Sequence, residues 1–152
     1  MKHFKIPRGQ ALFVLILAFL LLLFNGGSRF TIGLTLKPMA NDLDWSRTTL
    51  SLTVTVFMVV SAVVLPFIGR LVDRYNLKAM LILALLFSSA SIALMGLVQT
   101  PLQAILIYGV IFALANAGTS VAPIGVLISR WFPNRLGLAN SIAISGMGVG
   151  QL

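Results

Sequence analysis

No cysteine occurs among the 152 residues, which removes disulfides, thiolate nucleophiles and sulfur-liganded metals from the chemistry open to this chain. Acid is nearly as scarce. Asp42, Asp44 and Asp73 are the only side-chain carboxylates and His3 the only histidine. Neither a carboxylate pair within one span, nor a nucleophile with its base and acid, nor a metal cluster can be assembled from that inventory. The sequence therefore reads as a non-enzyme with no cofactor and no metal. Charge of either sign is thin as well: 9% of residues are charged, where an average soluble domain carries about 25%. That is too little to cover a water-soluble globule of this size.

What the chain has instead is apolar length. Hydrophobic residues make up 59% and mean hydropathy is +1.03, so the bilayer has to be the solvent. A net charge of +8 could suggest nucleic acid, but the cations fall in short clusters between apolar runs and form no basic face, so no nucleic-acid partner is expected. A hydrocarbon core of about 30 Å takes about 20 apolar residues in helix. By that measure the chain is an all-α membrane protein with spans over approximately 11–35, 48–68, 77–98, 101–128 and 136–152, behind a tail at 1–10. Lys37-Pro38 is expected to end the first span, Ser46 to cap the second, and Thr100 with Pro101 to open the fourth. The fifth helix has no terminus before Leu152, and the expectation drawn is a truncated piece of a longer protein or an interrupted gene.

Lys and Arg are retained on the cytoplasmic side of short connections. With the N-terminus inside, Lys2, Lys5, Arg8, Arg70, Arg74, Lys78, Arg130 and Arg135 are cytoplasmic and only Lys37 and Arg47 are outside. The expected location is the inner (plasma) membrane, multi-pass, with a cytoplasmic N-terminus. A cleavable signal peptide is the competing reading of the first 24 residues, but no small-x-small cleavage site follows them.

Small residues recur every four positions, as Gly109, Ala113 and Ala117, as Ala84 and Ser88, and as Gly146 and Gly150. Such spacing points to close helix packing in lipid, within a bundle more than between copies. Arg29 is the only formal charge well inside a span, with Asn25 and Ser28 on the same helical face. It either faces a cavity or snorkels to the outer interface. Asn116, Thr119 and Ser120 share a face of the fourth span, followed by Pro123, which is expected to kink it. A cavity-lining wall and a set of purely structural interhelical bonds both fit that face.

The stretch Gly69-Arg70-Leu71-Val72-Asp73-Arg74-Tyr75-Asn76-Leu77-Lys78 joins the second and third spans. A glycine, an aspartate four residues on followed by arginine, and a terminal basic residue resemble the signature of the major facilitator superfamily. Asn76 stands at its second glycine and is the residue that best replaces glycine in a left-handed turn. Trp131-Phe132-Pro133-Asn134-Arg135 through Asn140, then Ser145-Gly146-Met147-Gly148-Val149-Gly150, is similar to the fifth-helix entry of the bacterial monocarboxylate and oxalate/formate antiporter branches. Leu36 to Met39 with Asp44 to Arg47 likewise resembles the first outer loop of those carriers.

The resemblance implies the superfamily fold, with this chain supplying the first four transmembrane helices and part of the fifth; two six-helix halves rock about a central site. Asn25, Arg29, Asn116 and Ser120 become the substrate-binding candidates of this half. Gly69, Asp73, Arg74 and Lys78 become a conformational-switch loop in which Gly69 permits close helix approach. Arg135, Asn140, Gly146 and Gly150 carry the fifth-helix entry motif. The implied function is secondary active transport of a small organic anion, such as a monocarboxylate, by alternating access. The implied partners are that anion, a coupled proton or counter-transported anion, the lipid bilayer and the missing C-terminal half, without which residues 1–152 are expected not to transport. The rival readings are an exporter of drugs or amphiphilic compounds in the same superfamily and a small non-transporting membrane partner protein. Single cysteines at Tyr75 and Trp131 are expected to react with an impermeant maleimide from the same side of the membrane. Labelling from opposite sides would overturn the span assignment.

Overall fold

The computed structural model describes residues 8–152, Arg8 by its backbone alone, and Lys2, His3 and Lys5 lie outside the described residues. Every regular element among the described residues is helical. α1 runs Arg8–Asp42, α2 Arg47–Arg74 and α3 Leu77–Met95. A fourth span, Pro101–Trp131, is built from α4 (Pro101–Ala104), a π-helical stretch (Ile105–Phe112), α5 (Ala113–Gly118) and α6 (Val121–Trp131). α7 covers Leu136–Gly150. α1, α2, α3 and the fourth span are each long and apolar enough to cross a membrane.

The ends follow local chemistry. Ser46 caps α2, its hydroxyl accepting from the Thr49 N–H at 3.3 Å. Thr100 and Gln103 form a capping box around Pro101, where a missing N–H costs nothing. Asn76 does not take the left-handed turn expected of it. Its backbone is extended, and its side chain accepts from the Lys78 N–H at 3.0 Å, so it is the N-cap of α3. With α2 reaching Arg74, the connection is only Tyr75 and Asn76, and most of the motif expected to form a loop is helix.

α1 also corrects the expectation that Lys37-Pro38 ends it. Pro38 lies inside the helix, which continues to Asp42 because Leu36 and Ala40 beyond Thr35 are buried against the outer core. The helix ends at a left-handed Asp44, and the Trp45 N–H returns to the Ala40 carbonyl at 2.8 Å, as in a Schellman end. Residues 8–10, assigned to the tail by sequence, are the first turn of this helix.

Two apolar clusters stack along the bundle. One, near the Asp73 end, gathers Leu22, Val72, Leu81, Ile124, Ile128 and Ala143; the other, near the Lys37 end, gathers Ile32, Leu36, Phe57, Met95, Tyr108 and Phe112. Buried polar residues lie mainly between them: Asn25, Ser28, Asn116 and Thr119, each at most 7% exposed.

α1 packs most extensively against α7. A Cβ at Gly146 would strike the Phe19 carbonyl oxygen, and one at Gly150 the Leu23 carbonyl oxygen, so the glycine pair lets the two backbones touch. Their four-residue spacing is used within the chain. Gly69 differs, since nothing among the described residues comes within 4 Å of a Cβ placed there, and the close approach implied for it is not made by α1 to α7. Gly146→Ala is expected to cost about 1–3 kcal/mol by overpacking, read as unfolding in mixed micelles. Gly148→Ala, on the open face of the same helix, should not destabilise; equal losses for both would remove the α1–α7 contact from the account.

Candidate functional site

The site begins at the middle of the longest helix. Asn25 is the midpoint of α1 (Arg8–Asp42), and Arg29 stands four residues further, about 6 Å along the axis. Arg29 is therefore near the middle of α1 and not at its end. Carboxylates are remote. Asp42 ends α1, Asp44 lies in the following turn and Asp73 is in the last turn of α2. The Arg29 guanidinium lies over the Phe57 ring, 5.3 Å from its centroid. Phe57 stacks on Tyr108 at 4.9 Å, and Tyr108 on Phe112 at 5.4 Å. The ring faces give the cation a partner without neutralising it, an attraction of about 0.5–2 kcal/mol.

The π stretch carries Tyr108, Gly109 and Phe112 on its buried side, and such wide turns gather at functional sites. One turn later the fourth span breaks. The expected kink at Pro123 is instead an interruption at Thr119-Ser120, where Ser120 is extended and α6 starts afresh. Pro123 falls in the first turn of α6, where its missing N–H has no helical acceptor to lose. The break, where the Thr119 N–H already donates to the Asn116 carbonyl at 3.2 Å, is also tied to α1: Asn25 Nδ2 donates to the Asn116 carbonyl and to Thr119 Oγ1, both at 2.9 Å. Asn116 Nδ2 returns a bond to the Asn25 carbonyl at 3.5 Å.

All four substrate-binding candidates line one cavity of about 640 Å³: Asn25, Arg29, Asn116 and Ser120, together with Ser61 and Met58. A second cavity of about 400 Å³, toward the Lys37 end, is lined by Arg29, Gly33, Val54, Phe57, Tyr108 and Gln151. Arg29, Phe57 and Met58 belong to both. Both volumes lie in the range, about 300–1,000 Å³, of small-molecule sites. The candidates divide by chemistry. Asn25 and Asn116 use their amide donors on each other's helix, whereas Arg29 lines both cavities with no hydrogen-bond acceptor for its guanidinium found among the described residues.

The remaining candidates lie elsewhere. Asp73, Arg74 and Lys78 are exposed at the α2–α3 turn, and Arg135 is exposed at the start of α7. Asn140 is half-buried with its side-chain oxygen unpartnered, facing Gly125 of α6. Sequence reasoning missed Phe57, Ser61 and Tyr108. A signal existed for Ser61, the one hydroxyl in Phe57-Met58-Val59-Val60-Ser61-Ala62-Val63-Val64. It sits one turn from Phe57 on the same face. Tyr108 is the one tyrosine inside a span.

The family model described as the Major Facilitator Superfamily matches residues 18–152. The chain belongs to that superfamily. Its four membrane-length helices make it a multi-pass membrane protein. Two curated members are similar to it. The uncharacterised MFS-type transporter YcxA of Bacillus subtilis (strain 168) is 29% identical over 144 residues, 92% of this chain and 34% of that protein. The oxalate:formate antiporter of Oxalobacter formigenes is 28% identical over 147 residues, 95% of this chain and 34% of that protein. The chain thus spans about a third of the length of these relatives. No solved structure matches it. The resemblance read from the Gly69–Lys78 and Trp131–Gly150 segments is borne out at the level of the superfamily, and an oxalate:formate antiporter stands among the relatives.

In this superfamily chain the Asn25 bracket should be measurable as stability. Asn25→Ala is expected to lower unfolding free energy by about 1–2 kcal/mol. A cycle with Thr119→Val should show coupling of about 0.6–1.7 kcal/mol, the range for bonds between membrane helices. Strict additivity would mean the two side chains do not act together.

Proposed function

We propose that this chain forms one wall of a secondary carrier that moves small organic anions, monocarboxylates among them, by alternating access. The observation that carries the reading is Arg29: a permanent cation near the middle of α1, over an aromatic face, opening on two cavities and remote from every carboxylate of the chain. A charge carried within a membrane span is costly, about 2.5–3.5 kcal/mol at the helix centre on insertion scales, and a site for an anion offsets that cost. The guanidinium fork matches a carboxylate. The printed name of the Oxalobacter relative, an oxalate:formate antiporter, supports this substrate class and makes a counter-transported anion the first coupling partner to test. Asp42 and Asp73 stand at the ends of α1 and α2 and Asp44 lies in the turn after α1, away from the level of Arg29, so a coupled proton at that level would be carried by a group supplied from elsewhere in the carrier.

The opposing wall would be the C-terminal half of the carrier, reached by the Asp73–Lys78 turn and the exposed faces of α1 and α2. The cation count favours an inner-membrane orientation with a cytoplasmic N-terminus, placing that turn inside the cell. Rocking of two halves about the Arg29 level would expose the two cavities in turn.

Reconstituted full-length carrier is expected to exchange formate, oxalate or lactate. Arg29→Gln should reduce carboxylate transport about tenfold or more, the loss of one charge-assisted bond, while Arg29→Lys should fall between, keeping charge without the planar fork. Full carboxylate exchange by Arg29→Gln would remove this arginine from the site. Efflux of cationic amphiphiles with no carboxylate exchange would move the assignment to the exporter reading.

A further inference from the structure

Hydroxyl groups inside these helices follow a rule with an informative exception. Thr53 donates to the Thr49 carbonyl at 2.9 Å, Thr55 to Ser51 at 2.7 Å and Ser91 to Phe87 at 2.8 Å. Across the larger cavity, Ser120 donates to Ala117 at 2.7 Å. Back-bonding of this kind satisfies a serine or threonine hydroxyl in apolar surroundings. Ser61 does not do it. Its Oγ is shielded and has no hydrogen-bond partner among the described residues, yet the residue lines the cavity that contains Arg29. Ser88 is also unpartnered but does not line that cavity, so its burial is a matter of packing against α5.

The position of Ser61 gives the missing partner a shape. Phe57, which lies under the Arg29 guanidinium, and Ser61 are four residues apart on α2. They share a face, with about 6 Å of rise between them. Arg29 and Ser61 line the same cavity, so a short ligand whose carboxylate pairs with Arg29 can extend along this face toward Ser61. An apolar far end leaves the hydroxyl orphaned; an oxygen there satisfies it. Leaving a buried donor unmade is the expensive outcome, which is how a site selects by hydrogen bond.

We infer that Ser61 is a substrate-selecting residue: its hydroxyl donates to an oxygen of a second carboxylate, one helical turn from the carboxylate held by Arg29, so the site prefers short dicarboxylates to monocarboxylates of equal length. The inference rests on the proposed function and narrows its substrate class.

The test is titration of purified full-length carrier with malonate and propionate, which have the same number of carbons. The wild type should bind malonate more tightly, and Ser61→Ala should lower the malonate-to-propionate affinity ratio about tenfold, as expected for losing a bond to a charged group. Ser61→Thr, which keeps the hydroxyl, should restore most of the ratio. Without ligand, Ser61→Ala should melt no lower than wild type, because the hydroxyl has no partner in the fold. An unchanged ratio, a wild type that prefers propionate, or a ligand-free Ser61→Ala that melts lower overturns the inference. If Arg29→Gln still weakens both ligands in those cases, the proposed function stands without it. If neither ligand binds, or Arg29→Gln changes neither affinity, the proposed function itself has failed.

Discussion

The bond from Asn25 to the broken fourth span is the interaction on which the rest of the architecture depends. A helix interrupted in a membrane leaves carbonyls with no water to take them, and each orphan costs several kcal/mol. Here the interruption at Thr119-Ser120 is first closed locally, the Thr119 N–H and hydroxyl each donating to the Asn116 carbonyl at 3.2 Å and the Ser120 N–H to the Ala117 carbonyl at 3.3 Å. One amide from α1 then adds bonds to the Asn116 carbonyl and the Thr119 hydroxyl, and so ties the break to α1. Having the break fixes where α6 starts, and so where Ser120 faces the cavity.

The level of this bracket also sets the electrostatics. Apolar clusters lie toward either end of the bundle, so the polar side chains and the two cavities are confined between them. Arg29 sits in that layer one turn from Asn25, its guanidinium face over the Phe57 ring, which in turn stacks on Tyr108. Aromatic faces attract a cation but leave its hydrogen-bond donors free. A carboxylate in the same place would satisfy Arg29 and leave nothing for a ligand.

Much of this was legible in the amino-acid order, and the parts that were not share a cause. Hydropathy located the helices, and the caps at Ser46 and Thr100 could be read because they depend on residues within one turn. Polar spacing on two helices picked out Asn25, Arg29, Asn116 and Ser120, which the fold brings to one cavity. The misreadings arose where tertiary packing overrode a local signal. Pro38 looked like a terminator, but Leu36 and Ala40 are buried and carry the helix past it. Pro123 looked like the kink, but the break lies upstream, where a side chain from another helix can satisfy it. Asn76 looked like a glycine substitute and is a cap. Phe57 gave no sign, because an aromatic in an apolar run is indistinguishable from core until its neighbours are known, and Tyr108 differed only in being the one tyrosine inside a span.

The contrast between α7 and the fourth span shows why the middle of the bundle is the adaptable part. α7 meets α1 through Gly146 and Gly150 with backbone against backbone, a contact that admits no side-chain adjustment and holds only at one register. The fourth span meets α1 through the Asn25–Asn116 hydrogen bonds beside the break and through apolar packing of Ala18 and Leu22 near Ile124 and Ile128 and of Ile32 and Leu36 near Tyr108 and Phe112. Hydrogen bonds can exchange donors and acceptors over small displacements, whereas a glycine seam separates or stays closed. α1 is thus joined to α7 by close backbone contact and to the fourth span by side-chain packing with a polar pair at its middle. A tilt of the fourth span about Thr119-Ser120 would alter the cavity of Ser61 and Ser120 without opening the seam to α7, and this asymmetry is the mechanical property that a rocking wall requires.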